Sequence, residues 1–235
     1  MIVFDEFRDD ASAREWAMKI QDDCLSSYPI IDCQQIDPSF QMNMCVDIGC
    51  NIGAFSLRAS NFFKQVAAFE PAYITCLGAK SCINDVARKN NVKIYNMAVG
   101  KKTGDFLNLN CNRVDGKINS GHASVIYNNP DPDAQYEKVM SISLEDIYRL
   151  CEVDFIDYLK VDCEGSEYDV FLGKDLSKIG VMIMEIHGLE NVDFKQSRKE
   201  LLDHISKDHN IELFGEHNIV ATNKKFKIKP FHFSS

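Results

Sequence analysis

The sequence predicts an α/β fold, a mostly parallel sheet covered by helices on both faces. Three observations predict it. Short apolar runs that read as strands alternate with segments of helical period along most of the chain. The first such run, Met44 to Ile48, ends in a glycine turn that opens a helix, and the next, Val66 to Phe69, ends at an acid, Glu70. Parallel strands need crossover connections, so this alternation is the sequence form of a sheet covered on both sides. At 235 residues, 45% apolar and 26% charged, the chain can bury one substantial core. We expect a helix and lead-in over residues 1–43 packed on a single domain over 44–235.

Taken in order, Asp10 to Leu25 carries Ala13, Trp16, Ala17, Ile20 and Cys24 at spacings of three and four, an amphipathic helix that Tyr28-Pro29 closes. Met44 to Ile48 is a strand and Gly53 to Phe63 the helix after it. Val66 to Phe69 is a second strand, followed by a helix through about Lys89, and Val92 to Val99 reads as a third strand. From Gly104 to Tyr127, alternating segments (Phe106, Leu107, Leu109, then Ala123, Val125, Ile126) flank turn-rich residues, which predicts a β-hairpin or lid insertion. Asn128 to Asp133, with two prolines, is a loop.

Alternation resumes with a strand at Val139 to Ile142, a helix at Leu144 to Cys151 and a strand at Phe155 to Val161. A helix at Ser166 to Leu172 and a strongly apolar strand at Val181 to Ile186 follow. Gln196 to Ser206 is a helix with Leu201, Leu202 and Ile205 inward, and Ile211 to Phe214 and Ile219 to Thr222 close the domain as antiparallel strands. The run Lys224 to Lys229 reads as an exposed edge strand, because lysines there discourage strand addition.

The bulk numbers exclude several classes. A net charge of −9 repels polyanions, so no nucleic acid partner is expected. No apolar run is long enough for a membrane span, and Met1 to Asp10 carries acids where a signal peptide carries bases, which predicts a cytoplasmic protein. Nine cysteines without a C-x-x-C pair read as small buried thiols.

The glycine turn points to a nucleoside cofactor. In open α/β sheets such ligands meet the first strand-to-helix turn, where Gly49 and Gly53 permit positive φ and leave room for a ligand. Glu70 stands roughly 20 residues on, where a carboxylate can accept hydrogen bonds from both ribose hydroxyls. A dinucleotide site needs a middle glycine to approach a pyrophosphate, and Asn51 occupies that place. S-adenosylmethionine has no pyrophosphate but carries an ammonium and a sulfonium, which an acid before the turn, Asp47, suits.

A second constellation lies in Tyr158 to Glu167. A strand delivers Asp162 and Glu164 to its carboxyl end, Gly165 turns the chain, and Ser166 with Asp169 resembles a helix N-cap with an acid in the first turn. Two carboxylates at one tip repel unless a cation visits: a sulfonium, Lys160 or a divalent metal. A divalent metal is possible, but the spacing matches no metal motif. Glu185 and His187 follow at the next strand tip, on one face by the two-residue period.

The ordered set Val46-Asp47-Ile48-Gly49-Cys50-Asn51-Ile52-Gly53, Phe69-Glu70-Pro71, Ala98-Val99-Gly100, Ser143-Leu144-Glu145-Asp146, Lys160 to Glu167 and Glu185-Ile186-His187 resembles the FkbM family of methyltransferases over Met44 to Gly188. The resemblance implies a class I, Rossmann-like methyltransferase fold with a seven-stranded sheet. It also implies O-methylation of a hydroxyl on a sugar, glycan or natural-product-like acceptor. It places the S-adenosylmethionine site on Asp47, Gly49, Cys50, Asn51, Gly53, Glu70, Pro71 and Ala98, with Cys50 a mild departure where small alanine is common. The strand-tip motif falls on Asp162, Glu164 and Gly165. The segment Gly121-His122-Ala123-Ser124 matches a family Gly/Ser-rich segment only loosely.

Methyl transfer from a sulfonium needs an aligned nucleophile and exclusion of water. The expected catalytic residues are His187 as general base, Asp162 and Glu164 near the reacting centre, and Glu185 orienting the imidazole or the substrate. The alternatives are an NAD-dependent oxidoreductase, disfavoured by Asn51, and a non-catalytic nucleoside-binding relative, disfavoured by four costly polar groups at two strand tips.

Overall fold

A computed structural model describes residues 42–110, 113–114, 117–118, 124–126, 136–188, 194–215 and 217–225. The helix expected at Asp10 to Leu25, the packing of residues 1–41, the loop at Asn128 to Asp133, most of Gly121-His122-Ala123-Ser124 and the end of the lysine run lie outside them. The chain forms β1 (Met44–Ile48), α1 (Ala54–Ala59), β2 (Gln65–Phe69), α2 (Tyr73–Lys80, continued by a π-helical turn at Ser81–Val86), β3 (Val92–Tyr95) and β4 (Ala98–Gly100). Then come β5 (Phe106–Asn110), the short pair β6 (Arg113–Val114) and β7 (Lys117–Ile118), β8 (Ser124–Ile126), β9 (Tyr136–Ser143) and α3 (Leu144–Cys151). The last elements are β10 (Ile156–Val161), α4 (Glu167–Phe171), β11 (Ile179–Glu185), α5 (Phe194–Ile205), β12 (His209–Phe214) and β13 (Asn218–Asn223).

Seven strands form the main sheet in the order β12-β13-β11-β10-β1-β2-β3, with β13 antiparallel to β11. This is the mixed α/β, mostly parallel seven-stranded architecture that the sequence predicts. Alternate residues divide between two cores. Met44, Val46 and Ile48 of β1 join Ala67, Phe69, Leu159 and Val161 on one face, while Cys45 joins Val66, Ala68 and Tyr158 under Phe55 and Ile83 on the other. The chain steps from β1 to β2 on one side and returns to β10 on the other, so β1 sits at the switch point where such sheets bind ligands.

Four expectations need correction. The single strand at Val92 to Val99 is broken at Asn96, whose amide donates to the carbonyls of Glu70 (3.0 Å) and Pro71 (2.7 Å). That tie turns the chain away from β2, so β3 stays in the main sheet and β4 leaves it. The strand at Val139 to Ile142 also leaves it: β9 pairs with β4 and β5, giving a second sheet, β4-β9-β5-β8, into which the predicted hairpin is built. Helix α1 ends at Ala59 rather than Phe63, since the Asn91 amide captures the carbonyls of Ser60 and Phe63. Lys224 and Lys225 form a turn after β13; the Lys224 ammonium instead donates to Ser206 and Lys207 carbonyls at the end of α5, where a cation is favourable.

Helix α3 starts where Ser143 lies in extended conformation and its hydroxyl accepts from the Asp146 N–H at 3.3 Å, with Glu145 and Asp146 in the first turn. By contrast Ser166 makes no capping hydrogen bond to α4, because its backbone is already helical. No helix among the described residues is long and apolar enough to cross a membrane.

Candidate active site

The glycine turn is clamped between two strands. The N–H groups of Gly49 and Cys50 both donate to the Phe69 carbonyl at 3.0 Å, and the Asp162 N–H donates to the Ile48 carbonyl at 3.0 Å. Gly49 has φ +72°, and a Cβ there would lie 1.7 Å from the Asp162 carbonyl oxygen. Glycine is required at this position by the tip of the neighbouring strand, not by an approaching ligand. Asn51 takes φ +49°, a left-handed conformation that asparagine tolerates, and Gly53 takes φ +84° directly before α1.

That conformation aims the Asn51 N–H at Glu70. One carboxylate oxygen of Glu70 accepts from Asn51 N at 2.9 Å and the other from Ala72 N at 2.9 Å, with only 5% of the residue exposed. Burial raises the carboxyl to about 7, although both N–H donors pull it down.

Behind the turn lies a buried ion pair. Asp47 and Lys160 are cross-strand neighbours in the β1–β10 ladder, and both are buried. The Lys160 ammonium stands 3.4 Å from the Asp47 carboxylate and 3.6 Å from that of Asp162, and donates to the Gly49 carbonyl at 2.7 Å. Burial alone would lower the Lys160 pKa; the charges of Asp47 and Asp162 overcome it and hold the value above the ordinary one. Asp47 also accepts the Ser56 hydroxyl at 2.5 Å. Its carboxylate therefore faces Ser56 and Lys160, and a cofactor ammonium would not reach it without displacing that pair.

An open cleft sits at the carboxyl ends of β1, β2 and β10. Of the expected cofactor residues, Gly49, Asn51, Glu70, Pro71 and Ala98 line it; Asp47, Cys50 and Gly53 do not, being buried beneath. Asp162 and Glu164 line its other side. Met97 also lines it, delivered by the break at Asn96, and nothing in the local pattern announced it. The tip of β10 turns through two left-handed residues, Glu164 (φ +51°) and Gly165 (φ +100°). A non-glycine residue there costs on the order of 1–3 kcal/mol, a strain that tends to collect at functional sites.

His187 and Glu185 stand beside the cleft, not on its wall. The fold brings Asp162, Glu185 and His187 together, each offering a donor atom within 4.8 Å of the others. The His187 Nδ1 lies 2.9 Å from Glu167, a fully buried carboxylate, and Nε2 lies 3.6 Å from Glu164 and 3.8 Å from Glu185. The imidazole is oriented by Glu167; of the two roles expected for Glu185, orienting the imidazole or the substrate, the first falls to Glu167. The signal for Glu167 was weak, since an acid in a first helical turn is ordinary. Burial opposes charge on His187, but the Glu167 hydrogen bond and the carboxylates of Glu167, Glu164 and Asp162 raise its pKa to about 9. At neutral pH the ring of the unliganded protein therefore carries a proton and is not the free base expected.

The chain matches the methyltransferase FkbM domain over residues 47–213. Among solved structures it is similar to the methyltransferase FkbM from Methylobacillus flagellatus KT, at 16% identity and TM-score 0.48, covering 77% of this chain and 44% of that one. It thus spans less than half the length of that protein. It is also similar to M. capricolum TrmK in complex with S-adenosyl-homocysteine (13% identity, TM-score 0.41, 84% and 70% covered). The precorrin-6y C5,15-methyltransferase from Geobacter metallireducens GS-15 is a further similar structure (12% identity, TM-score 0.44, 87% and 89% covered). No curated protein matches. With the glycine turn, Glu70 and the strand-tip acids in place and the domain match covering most of the chain, the protein belongs to the FkbM methyltransferase family.

Proposed function

We propose that this protein transfers the methyl group of S-adenosylmethionine to a hydroxyl of a sugar, glycan or natural-product-like acceptor. The observation that carries the reading is that Glu70 and Asp162, from the strands on either side of β1, line one cleft with the glycine turn between them. Each Glu70 oxygen accepts one backbone N–H and, having a second lone pair, can accept a ribose hydroxyl. Pro71 and Ala98 bound the nucleoside end; Gly49 and Asp162 bound the amino-acid end. In the reaction the acceptor oxygen attacks the methyl carbon, the carbon–sulfur bond breaks, S-adenosylhomocysteine departs and the hydroxyl proton passes to the carboxylates of Asp162, Glu164 and Glu185, beside which the protonated His187 ring stands. Alignment and exclusion of water supply most of the acceleration.

Ribose hydroxyls donate to Glu70, so the ionised carboxylate is the binding form. With the free carboxyl at about 7, S-adenosylhomocysteine affinity should rise about tenfold from pH 6 to pH 8 as the site sheds its proton. Glu70→Gln should weaken binding by roughly 10- to 100-fold and flatten that profile. Calorimetry at both pH values checks this, and equal affinities in variant and parent would remove the ribose assignment. His187→Ala should lower turnover by roughly 10²-fold with cofactor affinity nearly unchanged, read by S-adenosylhomocysteine release against a panel of sugars, nucleotide sugars and lipid-linked glycans. Undiminished turnover on an accepted substrate would remove His187 from the reaction.

A further inference from the structure

We propose that Asp162, Glu185 and His187 form a binding site for one divalent first-row cation, with Glu167 as the carboxylate that orients the histidine ligand. The set is mixed in chemistry and origin: a carboxylate from the tip of β10, and a carboxylate and an imidazole from the end of β11, with donor atoms within 4.8 Å of one another. Residues 185 and 187 are two apart, so an extended chain presents both to the same side.

Glu167 supplies a second observation. Histidines that bind metals almost always give their other ring N–H to a carboxylate or carbonyl, which fixes the tautomer and turns the remaining nitrogen to the ion. Glu167 is fully buried and takes Nδ1 at 2.9 Å, and its other oxygen, also buried, has no hydrogen-bond partner among the described residues. That arrangement leaves Nε2 as the coordinating atom. The Tyr168 hydroxyl donates to the His187 carbonyl at 3.0 Å, fixing the backbone that carries the ring.

The distances suit a shared ion better than direct hydrogen bonds. Nε2 stands 3.6 Å from Glu164 and 3.8 Å from Glu185, beyond the usual hydrogen-bond range. Bonds of about 2.1 Å at right angles would put neighbouring donors about 3 Å apart, so donors now within 4.8 Å of one another need close by no more than about 2 Å. The ligands are accessible: the side chains of Asp162, Glu185 and His187 are 28%, 34% and 23% exposed. Two carboxylates with one imidazole suit Mn²⁺ better than the all-oxygen preference of Mg²⁺. Three protein donors leave positions for water and, if the proposed methyl transfer holds, for oxygens of the acceptor. Binding of the ion does not depend on that transfer.

The test is calorimetric titration of MnCl₂ into the chelator-treated full chain without cofactor, with free Mn²⁺ followed by electron paramagnetic resonance. One Mn²⁺ per chain is expected. Glu185→Gln and His187→Gln should each weaken binding at least tenfold, and Glu167→Gln should do so by roughly 10- to 100-fold without touching the ion. S-adenosylhomocysteine affinity, measured on the same samples, should be unchanged and shows that the variants are folded. Absence of Mn²⁺ binding at millimolar concentration, or parental affinity in Glu185→Gln and His187→Gln, would overturn the site. The methyl-transfer reading fails separately, in the S-adenosylhomocysteine-release assay.

Discussion

Gly49→Ala is expected to lower the melting temperature by at least about 10 °C and to abolish measurable S-adenosylhomocysteine binding. The added methyl would sit 1.7 Å from the Asp162 carbonyl oxygen, a backbone atom with no rotamer to yield. Nor can either strand retreat: Asp162 N is bonded to the Ile48 carbonyl and Gly49 N to the Phe69 carbonyl, so separating the tips breaks the ladder on both sides of β1. The left-handed conformation, φ +72°, adds about 1–2 kcal/mol for any residue with a Cβ. Together these place the substitution among the exceptional ones, at about 4 kcal/mol or more, and in a chain of this size each kilocalorie moves the midpoint by about 2–4 °C. Gly104→Ala is the control, since Gly104 has φ +86° with nothing within 4 Å of its would-be Cβ. It isolates the conformational cost. Thermal unfolding of both variants measures the difference, and midpoints within about 3 °C of each other would show that the close approach carries no weight.

That contact illustrates what the sequence made legible. Strands β1, β2, β10 and β11 were read to within a residue or two because a strand buried on both faces is a near-continuous apolar run. Helix α3 was read as Leu144 to Cys151, the bounds it has. The sheet to which a strand belongs has no local signature, so β4 and β9 were misassigned: the tie that parts β4 from β3, Asn96 to the Glu70 and Pro71 carbonyls, is tertiary. The site divides in the same way. Gly49, Asn51, Glu70, Asp162 and Glu164 were expected at one site and do line one cleft, a placement legible because it is fixed along the chain, at strand ends. What each side chain faces was not. Asp47 turns to Ser56 and Lys160, and His187 turns to Glu167, because those choices depend on neighbours 9 to 113 residues away and on burial, which no periodicity encodes.

Lys160→Met is expected to cost about 3–5 kcal/mol, seen as a melting midpoint roughly 10 °C lower, and to loosen the cofactor turn as well. Methionine matches the stem of lysine in size, so the loss is chiefly electrostatic. It strands the fully buried Asp47 and removes the 2.7 Å bond that holds the Gly49 carbonyl. The sign of the pH dependence follows from Asp47. Burial already raises its carboxyl, with Lys160 the main opposing influence, so removing that cation raises it further. A carboxyl whose folded pKa lies above its unfolded one confers stability that is fully present below the unfolded value and lost as pH rises through the folded value. The deficit of Lys160→Met relative to the parent should therefore be small near pH 4.5 and grow toward pH 8. Adding Asp47→Asn removes the stranded charge and should recover part of the stability at pH 8, but not the cofactor affinity, because the Gly49 carbonyl still lacks its donor. Denaturant unfolding of the parent, the single variant and the double variant at both pH values, with S-adenosylhomocysteine titrations alongside, separates the two roles. A single variant as stable as the parent at pH 8 would show that the ion pair holds nothing, and recovery of affinity in the double variant would assign the turn to Asp47 rather than to Lys160.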